Sequence, residues 1–203
     1  MANCFAIEDM IPVIDETAYV HPTAVLIGDV TVGPGCYVGP AACLRGDFGR
    51  ITLCKGSNVQ DTCVMHGFPG GDAIIEEDGH VGHGAVIHGA RIGRNAMVGI
   101  NAVIMDNAVV GESAVVGAMA FIPEGMVIPA RHLAVGTPAR VLRELGEKEF
   151  KWKRGGTLEY QTLVRRSLET QRPVEPLKSP QPDRPRYTGG DSKTLKTVRN
   201  SRD

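Results

Sequence analysis

Aliphatic residues recur every six positions along more than half of this chain, and few folds can satisfy that spacing. Val20, Leu26, Val32, Val38 and Leu44 form one run; Ile92, Val98, Ile104, Val110, Val116, Ile122 and Ile128 form a cleaner one. Four residues after most of these stands a small or modest side chain: Ala24, Val30, Cys36 and Ala42, then Ala96, Ala102, Ala108, Ala114, Ala120 and Met126. A helix repeats near 3.6 and a strand near 2, so neither accounts for a period of six. A parallel β-helix does. Each hexad supplies a short strand and a turn, and three hexads close one triangular coil. The aliphatic side chain points into the prism, and the small one fits a corner that a larger group would overfill.

Composition agrees. The chain has 203 residues, enough for one domain, with 5% aromatics and 25 glycines, as expected of a prism filled by Val, Ile and Ala. Five cysteines without framework spacing predict reduced thiols and a cytoplasmic protein. The first residues carry acids and no long apolar run, which predicts neither a secretory signal nor a membrane partner. Residues 151–203 hold 13 Lys/Arg against 6 Asp/Glu, about +7, and the rest holds 9 against 17, about −8, for a net charge of −1. Sparse aromatics in the basic segment argue against nucleic acid as its partner.

Four regions follow: lead-in strands over 1–19, the prism over 20–135 in about six coils of about 18 residues, a helical segment over 136–178, and a flexible tail over 179–203. Within the third region the spacing predicts one helix from Val141 to Trp152 and, after Gly155-Gly156, a second over 158–170. The hexad rhythm breaks at Arg45-Gly46-Asp47-Phe48-Gly49-Arg50 and again at His66-Gly67-Phe68-Pro69-Gly70-Gly71-Asp72, with a five-residue step from Ile87 to Ile92. Such insertions gather on one face of a solenoid and mark its functional side.

Three of the six histidines lie on these disturbed coils: His66, His83 and His88, each followed by glycine. His83 and His88 fall on successive hexads, hence on different faces, and do not readily share a metal within one prism. Between two prisms, His66 and His88 of one chain can meet His83 of another. Three imidazoles plus water form a catalytic zinc pattern.

Hexads of this type resemble the left-handed hexapeptide-repeat proteins. Leu44-Arg45-Gly46-Asp47, Asn58-Val59-Gln60-Asp61 and the three histidine sites further resemble the γ-class carbonic anhydrase family over about residues 10–140. The resemblance implies an all-β, left-handed parallel β-helix with C-terminal α-helices, assembled as a homotrimer around inter-subunit metal sites. It implies His66, His83 and His88 as ligands of Zn2+, with Fe2+ or Co2+ as alternatives. It likewise implies Arg45 and Asp47 as an interface ion pair, Gln60 as the residue orienting metal-bound water, and Asn58 and Asp61 in the same motif, with Asp61 as an interface partner of Arg45. The acidic proton-shuttle loop of the efficient anhydrases is Gly67-Phe68-Pro69-Gly70-Gly71-Asp72 here, without Glu.

Residues 152–166 and Val174-Glu175-Pro176-Leu177 resemble the phenylacetate-degradation hexapeptide proteins and their carnitine-operon relatives. That resemblance implies a metal-dependent thioesterase acting on aromatic acyl-CoA. Phe68 would then contact the acyl group, and Arg140, Lys153 and Arg154, with Lys151, the phosphates of coenzyme A. Carbonic anhydrase, hexapeptide acyltransferase and a non-catalytic trimeric scaffold are the alternative readings.

Overall fold

The computed structural model describes residues 3–190 and Thr197. It is a parallel β-solenoid of about 7 turns, of the hexapeptide-repeat, left-handed type, with one C-terminal helix. The extra turn relative to the expected six is counted on the third face. That face stacks Tyr19–Val20, Tyr37–Val38, Asn58–Val59, His80–Val81, Met97–Val98, Val115–Val116 and His132–Gly136 in parallel.

Each rung donates its N–H groups to the carbonyls of the next. Tyr19 N–H reaches Cys36 O at 2.8 Å, Val86 N–H reaches Ala102 O at 2.9 Å and Met97 N–H reaches Ala114 O at 2.9 Å. This ladder keeps equivalent residues in register, so the hexad aliphatics stack as columns inside the prism. Leu26, Leu44, Met65, Ile87, Ile104 and Ile122 are one such column, all fully buried. The small offset-four residues Ala96, Ala102, Ala108 and Ala114 are likewise fully buried. The corner position just before them often takes a positive φ, as at Asn95, Asn101 and Asn107, residues that tolerate the left-handed region. Where another coil presses on the backbone, only glycine fits: a Cβ on Gly99 would lie 2.5 Å from Ala118 N.

The first insertion keeps its strand. Cys43–Leu53 runs for 11 residues around the edge between the first face, which stacks Val64–His66, Val86–His88, Val103–Ile104 and Phe121–Ile122, and the second, which stacks Ala73–Ile75, Arg91–Ile92, Val109–Val110 and Val127–Ile128; it pairs with Val25–Val32 on one side. The second insertion becomes a tight loop closed by the antiparallel Phe68–Gly71 bridge. At the start, Asn3–Phe5 and Val13–Ile14 pair in parallel with Val25–Val32, so the lead-in strands join the solenoid itself.

The C-terminal region departs from the two expected helices. Ala139–Glu144 is a strand, antiparallel to His132–Gly136, and it closes the exposed edge of the last rung. A single helix, α1, then spans Glu147–Thr170 and passes straight through Gly155-Gly156. Neither glycine has a neighbour near its missing Cβ, so packing elsewhere along α1 overrides their poor propensity. The segment that follows is exposed through residue 190; the rest of the expected tail lies outside the described residues, Thr197 apart. Among the described residues no helix is long and apolar enough to cross a membrane.

α1 covers the third face through rings and polar pegs. Tyr160 packs edge-on against Tyr37 and His80, at 5.3 and 5.4 Å between centroids. Lys153 is buried and donates to Asp78 O and Asn95 Oδ1, both at 2.7 Å. Beneath the helix His80 lies against Asn58 and Gln60. Burial, with Lys153 and His83 adding repulsion, pushes His80 down to about 3 from 6.5. Burial also pushes Lys153 down to about 7, with Asp78 opposing.

Two outcomes follow. Gly155→Ala and Gly156→Ala each raise stability, by about 0.5–1 kcal/mol, read from urea midpoints; a loss of stability would show that the helix needs these glycines. Second, the unfolded chain takes up a proton at His80 near pH 6.5 that the folded chain refuses until about pH 3. Stability therefore falls as pH drops through that window. Urea midpoints against pH should be flatter for His80→Gln than for the unaltered protein, and identical slopes would refute the assignment.

Candidate functional site

The rung register builds the site. On the first face, Arg45, His66 and His88 occupy the same outward column on three successive rungs. Adjacent strands lie about 4.8 Å apart, which sets the His66–His88 centroid separation of 5.1 Å. Each imidazole is tied at one nitrogen to a carboxylate. His66 Nε2 lies 3.0 Å from Asp47 Oδ1, and His88 Nδ1 makes a very short contact with Asp106 Oδ1. The remaining nitrogens, His66 Nδ1 and His88 Nε2, face each other at 3.1 Å.

That geometry has a chemical consequence. A carboxylate fixes an N–H on the nitrogen it contacts, and a neutral imidazole then presents a lone pair at the other. Two lone pairs at this distance repel unless a cation lies between them. The cation is a proton, shared or carried by one ring, or a metal ion. A metal-bound imidazole commonly donates its far N–H to a carboxylate, and both rings have that arrangement. The donor set therefore fits two ligands of a metal such as zinc. Among the described residues, though, no three His, Cys, Asp or Glu side chains of one chain gather into a metal-holding group.

Asp47 is the hub of the column. Burial works against its ionisation, but hydrogen bonds from Arg45 and His66, with the Arg45 charge, outweigh that and hold the carboxyl below its ordinary value. Arg45 Nη1 reaches Asp47 Oδ2 at 2.6 Å, so within one chain the two form an ion pair. Phe48, 63% exposed, stands beside His66 at 5.6 Å between centroids. Phe68 stacks against His88 at 6.5 Å. Gly89 makes room for this packing: at φ +53°, a Cβ there would lie 2.5 Å from the Phe68 ring and 2.6 Å from Asp106 Oδ1.

The other expected site residues lie apart from this column. His83 sits on the corner between the third and first faces, half exposed, with Nδ1 2.8 Å from Asp61 Oδ2. Gln60 and Asn58 are buried beneath α1, where Gln60 Nε2 donates to Asn58 Oδ1 at 3.1 Å and contacts His80 Nε2 at 2.7 Å. Gln60 thus faces His80 and not the His66–His88 pair. Lys153 is committed to anchoring α1 and offers no charge to a phosphate, whereas Arg140 and Arg154 are exposed. Asp106 and Phe48 complete the site without having been singled out in the sequence. Only the rung register could have found Asp106, 18 residues beyond His88 and hence one coil on.

The model described as bacterial transferase hexapeptide (six repeats) matches residues 89–124. Over 185 residues the chain is 50% identical to carnitine operon protein CaiE of Escherichia coli O157:H7, covering 91% of this chain and 94% of that protein. The CaiE of Salmonella dublin is 52% identical, with 91% and 93% covered. The chain belongs to the CaiE family of hexapeptide-repeat proteins. Among solved structures, a Bacillus cereus protein assigned to the acetyltransferases superposes with a TM-score of 0.82 at 30% identity, covering 84% of this chain and 99% of that one. A hexapeptide transferase family protein from Anaplasma phagocytophilum gives 0.77 at 31% identity, with 80% and 96% covered.

These findings correct the functional expectation. The family members are CaiE proteins and the structural relatives are described as acetyltransferase or hexapeptide transferase family proteins, so the reading as a metal-dependent thioesterase, a hydrolase of aromatic acyl-CoA, is not upheld. Of the subfamilies that the sequence resembles, the carnitine-operon branch is the one supported.

Asp106→Ala removes the acceptor that fixes the proton of His88 on Nδ1. Nitrogen NMR of the imidazoles should show His88 shifting toward the Nε2–H tautomer while the thermal midpoint stays close to that of the unaltered protein. An unchanged His88 signature would mean that Asp106 does not set the tautomer.

Proposed function

We propose that this CaiE-family protein transfers an acyl group from an acyl-CoA thioester to an amine or hydroxyl acceptor, with the His66–His88 pair handling the proton. The observation that carries the reading is the facing pair of ring nitrogens, each backed by a carboxylate. Transferase relatives at 30% and 31% identity support the reaction class.

In this reading the acceptor gives its N–H or O–H proton to one imidazole as it attacks the thioester carbonyl. The new C–N or C–O bond forms, the C–S bond breaks, and the departing thiolate recovers the proton from the imidazolium. A thiol ionises near pKa 8.5, so it is an easy leaving group. Asp47 and Asp106 hold the far N–H groups, keep both rings oriented and stabilise the cation as it forms.

A second reading concerns what lies between the two nitrogens. His83 is backed by Asp61 in the same manner, which leaves its Nε2 free on a corner. Its corner neighbours Ile100 and Met119 are 47% and 71% exposed, and the first face carries an outward apolar column of Val25, Cys43, Val64, Val86, Val103 and Phe121 beside the histidines. Setting the corner of one copy against the first face of another covers both apolar surfaces. Repeated head to tail, that contact closes a homotrimer with His83 of one copy beside His66 and His88 of the next. Three imidazoles suit zinc, and ferrous iron or cobalt accepts the same donors. A metal ion held there would supply positive charge toward an acyl carbonyl.

The test is release of free thiol from acetyl-CoA against a panel of amines and alcohols, with metal content and molecular mass measured on the same protein. Acceptor-dependent release that falls about 100-fold or more in His66→Asn and in His88→Asn is the expected result. Release that is indifferent to acceptor, or to both substitutions, would overturn the transfer reading. Bound metal lost in His83→Asn, in a particle of three chains, is expected of the shared site; a metal-free monomer would exclude it.

A further inference from the structure

A cleft of about 590 Å³ opens at the N-terminal end of the third face, between the first coil and the end of α1. It lies away from the histidine column, which is on the first face, and nothing in the acyl-transfer reading uses it. Its volume is that of a small-molecule site. The floor is apolar: Ile14, Ala18, Val20 and Pro22 from the first coil, Leu168 and Pro173 from the helix side.

The polar groups lining the cleft are Arg172, His21, Gln171, Tyr19 and the Ser167 hydroxyl, and the one permanent charge among them is the positive guanidinium of Arg172. Arg172 lines the cleft, and among the described residues it has no acidic partner. His21 commits Nδ1 to Thr23 at 2.8 Å, leaving Nε2 available. The Tyr19 hydroxyl, whose pKa burial raises, donates to Gln171 Oε1 at 2.5 Å, which leaves the Gln171 amide NH2 as a donor. None of the residues lining the cleft is Asp or Glu. An ammonium ligand would meet Arg172 with nothing to neutralise it, and a bare phosphate would leave the apolar floor wet.

We propose that this cleft binds a small amphipathic carboxylate. Its acid group is held by Arg172, His21 and the amide of Gln171, and its hydrocarbon body lies on Ile14, Val20 and Leu168. A guanidinium and a carboxylate make the stronger, charge-assisted kind of hydrogen bond, which gives the head group its direction. Burial of the chain against the aliphatic floor gives affinity that grows with chain length.

The experiment is titration of the full-length protein with hexanoate at low salt, followed by methyl and amide NMR, with hexylammonium and inorganic phosphate as controls. The expected result is saturable binding of hexanoate, with shifts centred on Val20 and Leu168 and none from either control. Arg172→Gln should weaken binding about tenfold, and Leu168→Glu, at a position 51% exposed and tolerant of change, should abolish it. His88→Asn should bind like the unaltered protein, which separates this site from the acyl-transfer centre. Absence of saturation, equal binding of hexylammonium, indifference to Arg172→Gln, or shifts centred on His66 and His88 would each overturn the proposal.

Discussion

The parallel ladder between rungs is the interaction on which everything else depends. Because every rung hands its N–H groups to the next, the coils cannot slip relative to one another without losing a whole layer of bonds. The inward columns of Leu, Ile, Val and Met make the same demand, since a shift of one residue would turn the aliphatic side chains outward. Register is thus fixed twice, by hydrogen bonds and by burial. A residue placed on the outer surface of one rung has its neighbour on the next rung at a distance that the backbone dictates. Arg45, His66 and His88 meet for that reason, although 21 and 22 residues of chain separate them in turn. Those separations exceed the 18 residues between Val98 and its partner Val116 because the first insertion is taken up within the Cys43–Leu53 strand by a register shift against Val25–Val32, and the second is looped out at Phe68–Gly71.

Much of this was legible in the sequence. The period of six identifies the prism and even its corner residues, because one inward position per hexad and one tight corner leave little choice of side chain. The interruptions at 45–50 and 66–72 both lie beside the His66–His88 pair, the first held within a strand by a register shift and the second leaving the stack as a loop. The partners of the histidines were less legible. Asp106 sits in an unremarkable hexad, Met105-Asp106-Asn107, and becomes significant only when the coil after His88 is laid beside it.

The third face shows where local pattern fails. Asn58, Gln60 and His80 occupy outward positions that, on an uncovered prism, would meet solvent or a neighbouring copy. α1 covers them instead, and that docking is decided by contacts some 80 to 100 residues apart, such as Tyr160 on His80 and Gln161 on Gly56. Lys153 was legible as a cation and nothing more; its place under the helix follows from the carbonyl of Asp78 and the amide of Asn95, presented by two successive corners. The same tertiary override carries α1 through Gly155-Gly156, where the sequence alone breaks a helix, and turns 139–144 into the strand that caps the last rung.

The two readings of the centre therefore share one structural cause. Asp47 and Asp106 each claim a nitrogen, and the ladder brings the other two nitrogens face to face. A proton between them makes the pair an acid–base device within a single chain. A metal ion held by side chains alone needs a third donor, and among the described residues no third His, Cys, Asp or Glu joins the pair. His83 has the right chemistry but the wrong edge, since a corner side chain of a convex prism points away from its own faces. It can reach a first face only by belonging to another copy. The choice between proton and metal is accordingly a choice about assembly: it turns on whether the apolar column beside the histidines is left in water or covered by the corner of a neighbour.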